Sequence, residues 1–307
     1  LFSAATTRAG QDREHWYLAL SHAGRRRVNR GKSCEVPELP EVETVRRLLD
    51  PVMRGAKFRR VILNRPNLRI PFPVRFADRL RGNTVSSVDR RGKYLIVRVS
   101  SGETLIMHLG MSGWFHVAPI GDRSRERDPH DHVIFLMSSG QAVVFNDPRR
   151  FGFMDLAEAG RLDQYPSLRI MGPEPLSPSF NAATLARACH RKKTALKVAL
   201  LDQRVVGGLG NIYASEALFH ARLSPLRKAS TIATASGTPK PHARRLAEGI
   251  RAVLNAAIRR RESPYGSARF RVYEREGQRC VRSGCGGTIR RITQAGRSTF
   301  YCPACQR

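Results

Sequence analysis

"KYLIVRVSSGETLIMHLG", from Lys93 to Gly110, is the stretch that decides the fold. It consists of two β-rich runs separated by Ser-Gly. The same texture recurs in "KFRRVILN" (57–64), "TVSSVDRR" (84–91), "HVIFLMSS" (132–139) and "AVVFNDP" (142–148), with Gly, Pro, Asn or Asp between the runs. Short runs at this spacing predict a sandwich or barrel of antiparallel strands over residues 57–157. Upstream, Val42, Val45, Leu48 and Leu49 recur at helical spacing, and Arg54-Gly55 reads as a stop. After "MGPEPLSP" (Met171 to Pro178) the chemistry changes. "NAATLARACHRKKTALKVALLDQ" (181–203), "NIYASEALFHAR" (211–222) and "PHARRLAEGIRAVLNAAIRRR" (241–261) all carry helical periodicity. From about Val272 a cysteine-bearing β module closes the chain. The expected class is therefore α+β.

Charge narrows the function. The 307 residues include 54 Lys and Arg against 25 Asp and Glu, a net charge of +29. From Pro37 onward the net is still +25, so the basicity belongs to the body of the chain. Such a surface needs an anionic partner, with nucleic acid ahead of an anionic membrane. No apolar run approaches the roughly 18 residues of a membrane span, and residues 1–36 lack the apolar core and cleavage site of a secretory signal. A length of 307 residues suffices for two domains with proper cores.

Four of the six cysteines fall in the pattern Cys280-x4-Cys285-x16-Cys302-x2-Cys305. Two pairs flanking a hairpin suit tetrahedral zinc, and four thiolates leave no open position, so the expected ion is a single structural Zn2+. Two disulfides, or free core cysteines, are the weaker alternatives in a reducing compartment. Arg290, Arg291 and Arg297 on the intervening hairpin point to nucleic acid.

Three further segments could carry chemistry. "LLDQRVVGGLGNIYASEALF" places Gly207, Gly208 and Gly210 before a helix; freed amides there are expected to cradle a phosphate, a plain glycine-rich connection being the alternative. "FNDPRRFGFM" presents Arg149, Arg150 and Phe151 on an Asp-Pro turn, suited to an apolar wedge between bases with an arginine replacing lost pairing contacts. Met111 in "HLGMSGWF" follows a strand, and Lys93 begins one. Taken singly, these two read as core filler and a solvated charge.

The elements in this order resemble the formamidopyrimidine-DNA glycosylase family, bacterial 8-oxoguanine repair enzymes of the helix–two-turn–helix superfamily. The resemblance rests on "PELPEVETVRR", "RRGKYL", "HLGMSG", "HDHV", "NDPRRFG", "GPEPL", "GLGNIYASE" and "GRSTFYCPACQ", which span nearly everything from Pro37 to Arg307. It implies an N-terminal antiparallel β-sandwich with flanking helices (37–157), a linker (158–178), a helix–two-turn–helix DNA-binding domain (179–270) and a β-hairpin zinc finger (271–307). It also implies a monomer acting on double-stranded DNA with oxidised bases or abasic sites, in the bacterial cytoplasm at the nucleoid.

The family's chemistry maps residue by residue. Pro37 matches the mature N-terminal proline, whose secondary amine attacks C1′ of the damaged nucleotide and forms a Schiff base as the base leaves. An α-amine titrates near pH 8, so part of it is neutral at physiological pH. Glu38 matches the general acid/base, Glu41 a carboxylate of the same pocket, Lys93 the proton donor for β-elimination, and Arg297 the zinc-finger arginine that grips phosphates and assists δ-elimination. Met111, Arg149 and Phe151 match the residues that fill the gap left by the flipped nucleotide. His108, His130, Lys192 and Asn211 match contacts to the DNA backbone. Without the resemblance, the acidic residues of "SCEVPELPEVETVRRLLD" (Ser33 to Asp50) would describe an ordinary capped helix.

The chain departs from the family in the wider spacing of Cys280 and Cys285, in Arg204 where a lysine is common, and in two larger respects. Residues 1–36 precede the proline and would leave its nitrogen a tertiary amide. They are expected to be a leader absent from the mature protein, a mistranslated upstream region with Val36 as the real start; a real leader that is cleaved, or one that keeps the protein inactive, is the alternative. The stretch from Arg259 to Phe270 is about a dozen residues shorter than the family's Gly-rich loop over 8-oxoguanine, which is expected to broaden or weaken base selection. An endonuclease VIII-like pyrimidine glycosylase and a catalytically inactive damage-binding protein are the rival readings.

Overall fold

The computed structural model describes residues 37–122, 128–260 and 270–307. The leader and the shortened loop at 261–269 lie outside the described residues. Helix α1 (Leu39–Met53) begins at Glu38, whose main-chain N–H donates to the Glu41 carboxylate at 2.9 Å. That bond is half of a capping box, and it satisfies an amide that the helix cannot. The helix ends at Arg54, followed by Gly55 at φ 77°, where a side chain would be strained.

Eight strands follow. They are β1 (Phe58–Leu63), β2 (Val85–Arg91), β3 (Tyr94–Val99), β4 (Thr104–His108), β5 (Trp114–Pro119), β6 (Asp131–Met137), β7 (Gln141–Asn146) and β8 (Phe153–Ala157), with a short helix α2 (Phe76–Leu80) after β1. They form two antiparallel four-stranded sheets, ordered β1-β6-β7-β5 and β2-β3-β4-β8. The predicted sandwich is thus observed, with β5 and β8 added to the strands read from the sequence. Alternation sends Phe58, Val97, Leu105, Phe135 and Phe145 into one core, on which α1 lays Val42, Val45, Leu49 and Met53. Each fully buried aliphatic or aromatic side chain contributes about 1.5–3 kcal/mol.

After the small helix α3 (Pro166–Arg169) the helical part comprises α4 (Ala182–Cys189), α5 (Leu196–Leu201), α6 (Asn211–His220) and α7 (Pro241–Arg259). Asn181 caps α4 by accepting from Ala183 N and Thr184 N at 2.9 and 3.0 Å. The helical periodicity of residues 181–203 is divided between α4 and α5. Arg191 sits at φ 59°, and Leu196 N and Ala229 N bond across to Arg227 O and Thr194 O instead of along a helix. The hairpin of β9 (Arg290–Gln294) and β10 (Arg297–Tyr301) completes the chain, and Phe300 and Cys302 join the helical core. Leu39, the first residue of α1, belongs to that second core, so one helix is rooted in both. Among the described residues no helix is long and apolar enough to cross a membrane.

Candidate active site and nucleic-acid face

Pro37 and Glu38 are buried at the junction of the two cores. The Glu38 carboxylate, on a residue 2 % exposed, accepts hydrogen bonds from Gly210 N at 2.9 Å, Ile212 N at 2.8 Å and Tyr213 N at 3.4 Å. It therefore occupies the N-terminus of α6, where partial positive charge favours an anion. A Cβ on Gly210 would lie 2.4 Å from the Glu38 carboxyl carbon, so only glycine leaves room. The phosphate cradle expected of this loop is corrected here. The anion on the helix end is Glu38 itself, while Gly207 N and Gly208 N are taken by Pro173 O and the Gln203 side chain.

Burial pushes the Glu38 carboxyl above its ordinary range, against the pull of Lys93 and the three amides. Glu41 accepts from Tyr213 Oη at 2.7 Å, and burial, aided by the Glu38 charge, raises it from 4.5 to about 7. This has a measurable sign. Between pH 4.5 and about 7 the folded protein holds a proton that an unfolded glutamate has released, so stability falls as pH rises through that window. Glu41→Gln is expected to flatten this slope and to exceed the parent's stability at pH 8 by roughly 2–3 kcal/mol. Urea midpoints at pH 5 and pH 8 check it; equal slopes in the two proteins would exclude the assignment.

Lys93 stands at the β2–β3 turn. Burial lowers its pKa, Glu38 opposes that shift, and Arg297 adds to it. The turn is fixed from the linker: Glu174 accepts from Gly92 N at 2.9 Å and from Arg90 Nη1 at 2.6 Å, and Arg91 donates to Gly172 O at 2.7 Å. Arg90 also bonds Glu43 of α1 at 3.1 Å. The structure thus brings together Pro37, Glu38, Glu41, Lys93 and the charge of Arg297, residues drawn from the start of α1, the sandwich and the zinc-finger segment. The Lys93 amine and the Glu38 and Glu41 carboxyls are thus buried within electrostatic reach of one another, groups of the kind that acid–base chemistry uses.

The loops after β4 and β7 form a second cluster. Asp147, fully buried, accepts from Ser112 Oγ and, at 2.8 Å, from Gly152 N, and Ser112 Oγ accepts from Arg149 N at 3.2 Å. Gly110 and Gly152 touch backbone to backbone, a Cβ on Gly110 falling 2.3 Å from Gly152 N. This close approach holds the loop of the half-buried Met111 against the loop that bears Arg149 and Phe151. The Arg149 guanidinium lies 4.9 Å from the centre of the Phe151 ring, which is 42 % exposed. His108 stacks on Phe153 at 5.5 Å and accepts from Gly110 N at 3.0 Å; burial, with Lys93 and Arg69 nearby, lowers it to about 4, so it is a neutral imidazole. His130 anchors the base of the second loop through its carbonyl, which accepts from Asp147 N at 3.0 Å.

The four thiolates Cys280, Cys285, Cys302 and Cys305 lie within 4.8 Å of one another, with Sγ–Sγ separations of 3.9 Å (280–305) and 3.6 Å (285–302). Tetrahedral zinc with bonds near 2.3 Å separates its sulfurs by about 3.8 Å, whereas a disulfide needs about 2.05 Å. The donor set therefore fits zinc and not a disulfide. The module is bound to the helical core by Lys197, which is fully buried and donates to Asn211 Oδ1 (2.6 Å), Thr299 Oγ1 (2.8 Å) and Ser298 O (3.0 Å). Asn211, expected at the DNA backbone, directs its amide to Ser298 O at 3.0 Å, and Lys192 faces Asp202 at 3.7 Å. Lys197, Glu174 and Tyr213 were not singled out from sequence. A lone lysine in the apolar helix "TALKVALL" was the one available signal.

Residues 36–154 match the formamidopyrimidine-DNA glycosylase N-terminal domain, 171–267 its H2TH domain, and 277–307 the zinc finger found in FPG and IleRS. These are the parts of a DNA-repair glycosylase that carries a zinc finger and binds DNA. The formamidopyrimidine-DNA glycosylase of Bradyrhizobium sp. (strain BTAi1 / ATCC BAA-1182) is 54 % identical over 293 residues, which cover 89 % of this chain and all of the relative. Lactococcus lactis formamidopyrimidine-DNA glycosylase bound to DNA containing an AP site superposes with a TM-score of 0.77 at 31 % identity, covering 88 % of this chain and 99 % of that one. The same enzyme with Fapy-dG-containing DNA gives 0.77 at 30 %, covering 88 % and 100 %. This chain belongs to the formamidopyrimidine-DNA glycosylase family.

Proposed function

We propose that this enzyme removes oxidised purines, 8-oxoguanine and formamidopyrimidines, from duplex DNA and then cuts the abasic strand by β,δ-elimination. The observation that carries this reading is the desolvated constellation of Glu38, Glu41 and Lys93 around Pro37. In a chain that begins at Pro37 the nitrogen is a secondary amine. It bonds to C1′ as the C1′–base bond breaks, and the departing base takes a proton. Glu38, buried against the end of α6, serves as the acid and then as the base. The attached nitrogen gives up its proton, the sugar ring opens as the C1′–O4′ bond breaks and O4′ takes a proton, and the iminium so formed at C1′ acidifies the C2′ proton. Loss of that proton expels the 3′ phosphate, and a second elimination at C4′ expels the 5′ phosphate, aided by Arg297. Lys93, depressed by burial, exchanges protons at this pocket. Met111, Arg149 and Phe151 fill the vacated stack, and His108, His130, Lys192 and Asn211 serve the phosphate backbone. The enzyme acts as a monomer in the bacterial cytoplasm, with one structural zinc ion held by Cys280, Cys285, Cys302 and Cys305; when bound, the ion cross-links the hairpin that carries Arg297.

Borohydride trapping on an 8-oxoguanine:cytosine duplex tests this. A chain starting at Pro37 is expected to form a covalent adduct and the full chain with the blocked nitrogen is not. An adduct of equal yield from both would remove Pro37 as the nucleophile. Trapping on an abasic duplex but not on 8-oxoguanine would show that the short segment before Phe270 has cost base excision and spared the lyase.

A further inference from the structure

We infer that Trp114 is a stacking platform for a nucleobase beside the gap that Met111, Arg149 and Phe151 fill. The inference rests on the reading of those three residues as the DNA wedge. Trp114 opens β5, three residues after Met111, and is 43 % exposed. Its backbone pairs with Asn146, directly before the loop that bears Arg149 and Phe151. Its exposure is not slack. The indole Nε1 donates to Asn146 Oδ1 at 2.9 Å, and Asn146, 2 % exposed, donates from Nδ2 to Asp131 Oδ1 at 2.8 Å. Asn64 Nδ2 in turn donates to Asp131 O at 2.6 Å.

Polar contacts through the buried Asn146 thus fix the plane of a large ring that is nearly half open to solvent. The neighbouring strand positions explain the arrangement. Phe115 turns into the core against Phe145, with ring centres 5.0 Å apart, so the pleat sends Trp114 and His116 to the opposite face, their rings 5.3 Å apart. Three loops expected to meet DNA converge on the indole: the Met111 loop precedes it, Asn146 leads to Asp147 and the wedge, and Asp131 adjoins His130. A preoriented aromatic face at such a place serves any base, because stacking does not depend on sequence. It gives the enzyme a hold on duplex already unstacked by the wedge.

The test uses the full chain carrying Trp16→Phe, which leaves Trp114 as the one tryptophan of the two in the sequence. On titration with a duplex containing a tetrahydrofuran abasic analogue, indole emission is expected to be quenched and its accessibility to acrylamide to fall. Trp114→Ala should weaken binding about 10-fold, and Trp114→Phe, which keeps an aromatic face but loses the Asn146 bond, should recover most of that loss. A duplex that binds by gel shift with emission and acrylamide accessibility unchanged would overturn the stacking role and leave the wedge reading intact. Absence of any gel shift would overturn both.

Discussion

Glu38→Gln is expected to slow excision of 8-oxoguanine by roughly 10²–10⁴-fold while the protein stays folded. The distinction follows from the two duties of this carboxylate. As a structural group it caps α6, taking the amides of Gly210, Ile212 and Tyr213. A glutamine oxygen can still accept from this cluster, and its amide nitrogen disturbs one of the three bonds, a cost of about 1 kcal/mol. As the proposed acid and base it would exchange a proton, and a carboxamide does not. Glu38→Ala removes both duties, so it should lose activity and also about 1 kcal/mol or more of stability through the uncapped helix. Single-turnover excision beside thermal unfolding separates the two. A glutamine variant within tenfold of the parent would mean that Glu38 serves only as a cap.

Removal of zinc should be as damaging by another route. The segment after residue 270 contributes few apolar residues to the core, chiefly Val272, Tyr273, Ile289, Phe300 and Cys302. A module this small depends on its metal: apparent zinc-binding energies of about 10–16 kcal/mol are what fold finger peptides. Cys302, fully buried, has no place for the hydration of an uncoordinated thiolate. In Cys302→Ser, or after chelation, the β9–β10 hairpin should loosen, and Arg297 would no longer be held near Lys93. The expected result is loss of strand cleavage and at least 100-fold weaker binding to an abasic-analogue duplex, with the sandwich still folded. Elemental analysis should find one zinc per active chain. A zinc-free preparation that still nicks DNA would refute this dependence.

Much of this was legible in the sequence because the signals were local. Strand texture, helical spacing and the paired cysteines each report on neighbours along the chain, and the structure reproduces them. The strands that escaped notice are weak in texture. In β5, "WFHVAP", a histidine interrupts the run and a proline ends it, while β8 is a five-residue run straight after the turn. The glycine loop misled for a different reason. Freed amides at a helix end do attract an anion, but sequence cannot say which anion arrives, and here it comes from 172 residues away in Glu38. Lys197 was hidden in the same way. Its partners Ser298 and Thr299 lie about a hundred residues downstream, so nothing near it in sequence marks it as a strut.

The double rooting of α1 has a consequence for quality control. Leu39 is sunk in one core and Val42 in the other, with Glu41 between them and Pro37 and Glu38 directly before. An N-terminal half that folded alone would display a proline and two carboxylates, but the amides that seat Glu38 and the hydroxyl that meets Glu41 would be missing. The blade is therefore assembled only when the handle is attached. On the proposed chemistry a nascent, truncated or heat-loosened molecule would be an idle one, and a genome would be spared incisions by fragments of its own repair machinery.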